Sequence, residues 1–159
     1  MRIVCSVGLR AGPELVRRIL AVMMAATQPE PELVLVRVID TGPRKDLEQI
    51  SGPLRFGPRG GDPRRGAAID AAEEAAGRAS LDEALAEARA AGVAAVARLE
   101  RGKPEQVIVA VAREVQASLV AIRARDHVEG HPFIGPASVG HVARFVLDHA
   151  PCDVLLLRG

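Results

Sequence analysis

The chain contains no tryptophan, no tyrosine and only three phenylalanines among its 159 residues. Its interior must therefore be built from Val, Leu, Ile and Ala, and it lacks the aromatic platforms on which single-stranded nucleic acid stacks. Two cysteines, Cys5 and Cys152, make no disulfide framework; both fall in predicted strands, where reduced thiols pack as small hydrophobes. Charge of one sign is also scarce, since a formal net charge of +1 gives no polyanion signal. No apolar run approaches the roughly 18 residues of a membrane span, and residues 1–4 enter a strand pattern without the apolar core of a signal peptide. The expectation is a soluble cytoplasmic protein with neither a membrane nor a nucleic-acid partner. What is abundant is apolar residue, at 48%, enough for one domain over 1–159 that needs no metal or disulfide to hold it.

Residues 2–7 read as a short buried strand and 8–12 as the turn leaving it. From Pro13 the pattern turns helical, with Leu15, Ile19 and Met23 in one row, Val16, Leu20 and Met24 in the next, and the proline suited to the first helical position. Residues 32–39 are almost continuous in Val and Leu, as strands covered on both faces of a parallel sheet are. Residues 42–66 differ in kind: prolines at 43, 53, 58 and 63 and several glycines oppose regular structure, and six Arg or Lys side chains make the segment basic, so a mobile loop is expected. Residues 67–91 carry twelve alanines with Glu and Arg between them, a high-propensity helix that Gly92 is placed to end. A third strand follows at 93–99, a helix opening at Pro104 with the row Val107, Val111 and Val115, a fourth strand at 119–122, a helix over about 137–148 and a last strand at 153–157. Strand alternating with helix predicts a doubly wound open α/β fold with helices on both faces of a parallel five-stranded sheet.

Two stretches are more specific. Gly102-Lys103-Pro104-Glu105-Gln106-Val107-Ile108, and the segment from Gly140 through His149-Ala150-Pro151-Cys152-Asp153-Val154-Leu155-Leu156-Leu157-Arg158, resemble the universal stress protein family. The resemblance implies sheet order 3-2-1-4-5, and with it a winding reversal between the first and fourth strands, where ligands bind beyond the carboxyl ends in such sheets. It also implies a homodimer paired through the last strand at Val154, Leu155, Leu156 and Leu157, although those side chains equally suit the sheet's own core. Some members of the family bind ATP in the loop after the fourth strand, and with the arginines that the flanking loops would bring to the reversal, the candidate ligand contacts are Gly8, Arg10, Val38, Arg123, Arg125, Asp126, Gly130, Gly140 and His141.

The ATP-binding members carry Gly-x2-Gly-x9-Gly-Ser/Thr in that loop. Glycines let backbone N–H groups approach phosphate, and a helix N-terminus adds a favourable dipole. In this sequence Arg123 and Asp126 stand at the first two glycines and Gly140-His141 at the last pair, with thirteen residues between Asp126 and Gly140. The spacing leaves room for Gly130 or Gly135 to take a glycine role. Where binding members place an Asp after the first strand, this chain has Gly8. Micromolar binding corresponds to about −8 kcal/mol, and a carboxylate about 4 Å from a phosphate charge opposes it by roughly 4 kcal/mol at an effective dielectric of 20. These departures disfavour ordinary ATP binding. Three readings follow: a dimeric binding protein diverged from nucleotide use, an ATP switch with slow or no hydrolysis, and a sensor of another phosphate-containing molecule held by Arg10, Arg123 and Arg125. The plainest account of those arginines is that they are solvated, pairing with Asp126 and Glu129.

Other chemistry finds less support. His127, His131 and His141 cluster in sequence, but Gly130 and Pro132 oppose the helix that would align the first two, so no metal site is expected. Cys152 follows His149 by three residues, yet a thiol entering a buried strand is no activated nucleophile. His149 is read as satisfying a helix end. No motif for hydrolysis, transfer or redox catalysis stands out, and a non-enzymatic protein is expected.

Overall fold

The computed structural model describes residues 1–8, 12–24, 31–41, 63–124 and 139–158. Five strands, β1 (Arg2–Ser6), β2 (Glu32–Asp40), β3 (Ala94–Gly102), β4 (Leu119–Arg123) and β5 (Asp153–Leu157), form one parallel sheet in the order β3-β2-β1-β4-β5. Four helices among the described residues connect them: α1 (Gly12–Met24), α2 (Pro63–Ala90), α3 (Pro104–Glu114) and α4 (His141–His149). β1 is central, with Ile3, Val4 and Cys5 in register with Leu33, Val34 and Leu35 of β2 on one side and with Leu119, Val120 and Ala121 of β4 on the other. The α/β class and the strand order expected from the sequence are both observed.

Alternation along the strands sorts the apolar side chains into two cores. Ile3, Cys5, Leu33, Leu35 and Ala121 pack with α1 and α2 through Leu15, Ile19, Leu81, Ala84 and Ala88. Val4, Val34, Val36, Val120 and Ile122 pack with α3 and α4 through Ile108, Val111, Ala143 and Val146. Each fully buried Leu or Ile contributes about 1.5–3 kcal/mol, and aliphatic side chains supply most of both layers. On the first face the layers approach closely because α2 presents small residues: a Cβ at Gly77 would lie 2.9 Å from Leu99 Cδ1, and one at Gly12 of α1 would lie 3.2 Å from both the Ser80 carbonyl and Val7 Cγ1.

Several element ends differ from the sequence reading. α2 opens at Pro63, so residues 63–66 belong to the helix; proline suits an N-terminal turn because its missing N–H has no helical partner there. Residues 42–62 of the expected basic loop, and 9–11 of the first turn, lie outside the described residues. α4 starts at His141 rather than near Ala137, because Gly140 at φ 83° breaks the helical path just before it. β3 runs on to Gly102, paired along its whole length with β2. The buried face of α3 is Ile108, Val109, Val111 and Ala112, with Val107 and Val115 at its margins, so the face is centred one residue away from the expected row. Cys152 is half-buried just before β5 rather than within it.

Candidate functional site at the carboxyl edge of the sheet

Because all five strands are parallel, the ends of β1, β2 and β4 and the start of α4 lie along one edge, and the order β2-β1-β4 puts the winding reversal beside β1. Val7 continues the β1 ladder by donating its N–H to the Val36 carbonyl at 2.8 Å. Gly8 follows, exposed, its carbonyl accepting a 2.7 Å hydrogen bond from Ser80 Oγ of α2. Ser80 is the one buried polar residue recorded among the described core positions, so its hydroxyl fixes the chain where β1 leaves the sheet. No side chain extends from Gly8 to hold a ligand. On the neighbouring strand Val38 is 8% exposed and belongs to the α3–α4 core, presenting little more than a methyl edge.

On the other side, Arg123 ends β4 opposite Leu157 of β5 and is half-buried, with interactions of its own. Ala124 extends the pairing by donating its N–H to the Leu157 carbonyl at 2.8 Å. Gly140 is the N-cap of α4, in a backbone region that favours glycine, and as a glycine it has no side chain with which to cap the helix. The first-turn amides of α4 thus meet two conditions for receiving an anion: a positive dipole end and a glycine at the approach. His141 is exposed, and its Nε2 lies 3.7 Å from Oε1 of Glu105, whose side chain is only 13% exposed in the first turn of α3. Two helix N-termini therefore stand side by side, with one acid and one imidazole between them.

The fold brings Gly8, Val38, Arg123, Gly140 and His141 to the same edge, while Arg10, Arg125, Asp126 and Gly130 lie outside the described residues. Among the described residues no group of three or more His, Cys, Asp and Glu side chains could hold a metal ion, and His127 and His131 lie outside them. Burial pushes the Cys5 thiol up to about 12, and burial with the neighbouring Asp153 charge raises Cys152 as well, so both thiols are held protonated. His149 closes α4 as expected: its Nδ1 lies 2.9 Å from the Phe145 carbonyl and its ring stacks on Phe145 at 4.0 Å between centroids. Glu105 and Ser80 were not anticipated. The only local signals were a polar hydroxyl inside an alanine-rich helix and an acid after Pro104, and neither discloses a partner on another element. No helix among the described residues is long and apolar enough to cross a membrane.

The model of the universal stress protein family matches residues 1–158, and the chain belongs to that family. Its proteins are in general non-enzymatic stress proteins. Among solved structures, a universal stress family protein from Burkholderia pseudomallei is 26% identical with a TM-score of 0.63, covering 98% of this chain and 94% of its own. An Arabidopsis thaliana family protein with AMP bound has a TM-score of 0.63 at 14% identity, covering 99% of this chain and 91% of that one. The Archaeoglobus fulgidus protein in complex with dAMP has a TM-score of 0.58 at 21% identity, covering 98% and 96%. No curated protein matches the sequence.

Proposed function

We propose that this universal stress protein is a cytoplasmic, homodimeric binding and regulatory protein of the stress response, and that its crevice takes a phosphate-bearing small molecule other than ATP. One observation carries the reading. The edge pairs a helix N-terminus whose N-cap is Gly140 with a strand end, Gly8, that has no side chain to anchor a nucleoside. Relatives of the same fold hold AMP and dAMP, which supports a phosphate-bearing ligand. Glu105 beside His141 adds a negative charge that opposes a highly charged triphosphate more than a monoester. Arg123 at the end of β4, with Arg10 and Arg125 from the flanking loops, would supply the guanidinium contacts. Val154, Leu155, Leu156 and Leu157 would join two copies through β5, an edge strand whose first three apolar side chains are only partly buried.

Thermal melting with AMP, sugar phosphates, pyrophosphate and polyphosphate tests the ligand class. A ligand at a hundredfold excess over its Kd should raise Tm by about 5–10 °C, and Arg123→Ala should abolish the shift. Equal shifts in both proteins would reject the role of Arg123, and no shift with any phosphate at millimolar concentration would overturn the reading. The second reading, an ATP-binding switch with slow or no hydrolysis, is favoured by the glycine geometry at Gly140 alone.

A further inference from the structure

We infer that the free edge of β3 pairs antiparallel with β3 of a second copy of this chain, with Leu99 on the two-fold axis. β3 ends the sheet, and among the described residues no strand pairs along its outer side. Its nine residues keep unbroken register with β2 and include no proline, so the edge is regular enough to template another strand. The Thr41 N–H donates to the Gly102 carbonyl at 3.2 Å across the β2–β3 pairing. Bonding direction alternates along a strand, so Arg98, Glu100 and Gly102 bond toward β2, while Ala95, Ala97, Leu99 and Arg101 turn their N–H and C=O groups outward.

The charges of β3 select both the partner and the register. A two-fold axis normal to the sheet sets residues of the same face opposite one another. Centred on Arg98 or on Glu100, the pairing makes like charges meet at the axis; centred on Ala97, it sets no charge against its opposite. Centred on Leu99, Arg98 faces Glu100 of the second copy and Glu100 faces Arg98 of the second copy. Both pairs then fall at positions that exchange no backbone hydrogen bonds, where opposing side chains come closest. In this register Leu99 meets Leu99 and Ala97 meets Arg101 through their outward groups, giving about six backbone hydrogen bonds. Val96, 49% exposed, comes opposite Gly102, which has no side chain to obstruct it. The charges are already fixed in place: Arg98 Nε donates to Glu100 Oε1 at 2.9 Å, and its Nη1 and Nη2 donate to Glu114 of α3 at 2.9 and 3.1 Å. A guanidinium has five donors and a carboxylate about four acceptor positions, so each side chain can also serve the seam. β5 is the opposite edge of the sheet, which leaves this pairing independent of any contact there.

A single strand pair is a small interface, so NMR of the full chain tests it at rising concentration, from about 10 μM to about 1 mM. The amide signals of Ala97, Leu99 and Arg101 should move saturably over that range, whereas contact through β5 is read separately at Val154 to Leu157. Ala97 is exposed with its N–H turned away from β2, so Ala97→Pro removes an edge donor without breaking the sheet's own ladder and should abolish the shifts at Leu99 and Arg101. Arg98→Glu and Glu100→Arg each set like charges across the seam and should weaken self-pairing at least about tenfold. An equal mixture of the two variants brings unlike charges together again and should regain it. Signals of β3 that ignore concentration, shifts that survive Ala97→Pro, or a mixture that pairs no better than its components would overturn the proposal; if either charge variant does not fold, Ala97→Pro decides.

Discussion

Two helix ends solve one problem with different residues. Gly92, at φ 72°, ends α2 with its N–H and that of Val93 returned to the Arg89 and Ala88 carbonyls; Gln116, at φ 52°, ends α3 the same way, with Gln116 and Ala117 returning to Arg113 and Ala112. A side chain in the left-handed region costs about 1–2 kcal/mol, and glycine gives back about 0.5–1 kcal/mol in backbone entropy. Gln116→Gly should therefore raise stability by about 0.5–1 kcal/mol, and Gly92→Ala should lower it by about 1 kcal/mol. Urea denaturation reads both as opposite changes in midpoint at unchanged slope. Gly92 could be read from the sequence because glycine announces a left-handed cap. Gln116 could not, since glutamine carries no such mark. The same divide runs through the candidate site: Gly8, Gly140 and His141 were picked out by family resemblance, whereas the meeting of His141 with Glu105 depends on how α3 packs beside α4, which no local pattern encodes.

At the scale of elements, the strands were the clearest part of the sequence, because side chains buried on both faces give unbroken apolar runs such as Leu33 to Val36. Helix starts were harder. Pro63 and Gly140 are residues that loops and helix ends share, and only the backbone path distinguishes them. α2 is also the element whose packing is least tolerant: Ala84 and Ala88 are fully buried, and Ala84 lies against the start of α1 at Gly12. Ala84→Leu should lower stability by about 1–3 kcal/mol through overpacking, measured by chemical denaturation. On its outer side α2 is tied to β3 by Glu74, which accepts from Arg78 at 2.7 Å and Arg101 at 2.8 Å. The hydrogen bond from Arg78, then that from Arg101, holds the Glu74 carboxyl below its ordinary value. A lowered carboxylate pKa gives stability that is present above the unfolded value and lost as pH falls through the folded one. Glu74→Gln should therefore fall less steeply in stability than the parent as the solution is acidified below the ordinary carboxylate range, and parallel acid curves for the two proteins would show that the tie contributes nothing.

For the whole molecule, the sheet order places β1 between β2 and β4, so the winding reversal falls at their carboxyl ends, where the candidate site lies. Strand order followed from family resemblance rather than periodicity, because alternating strands and helices are compatible with several windings. Light scattering should give about twice the 16.8 kDa chain mass if β5 pairs two copies, and Leu155→Lys should shift it toward monomer; a monomeric parent at micromolar concentration would contradict pairing. The central claim is that the crevice keeps a seat for phosphate but has lost the anchor for adenosine triphosphate. Calorimetric titration with Mg-ATP tests it most directly: the account predicts no saturable heat at millimolar ligand, and stoichiometric binding with a micromolar Kd would contradict it.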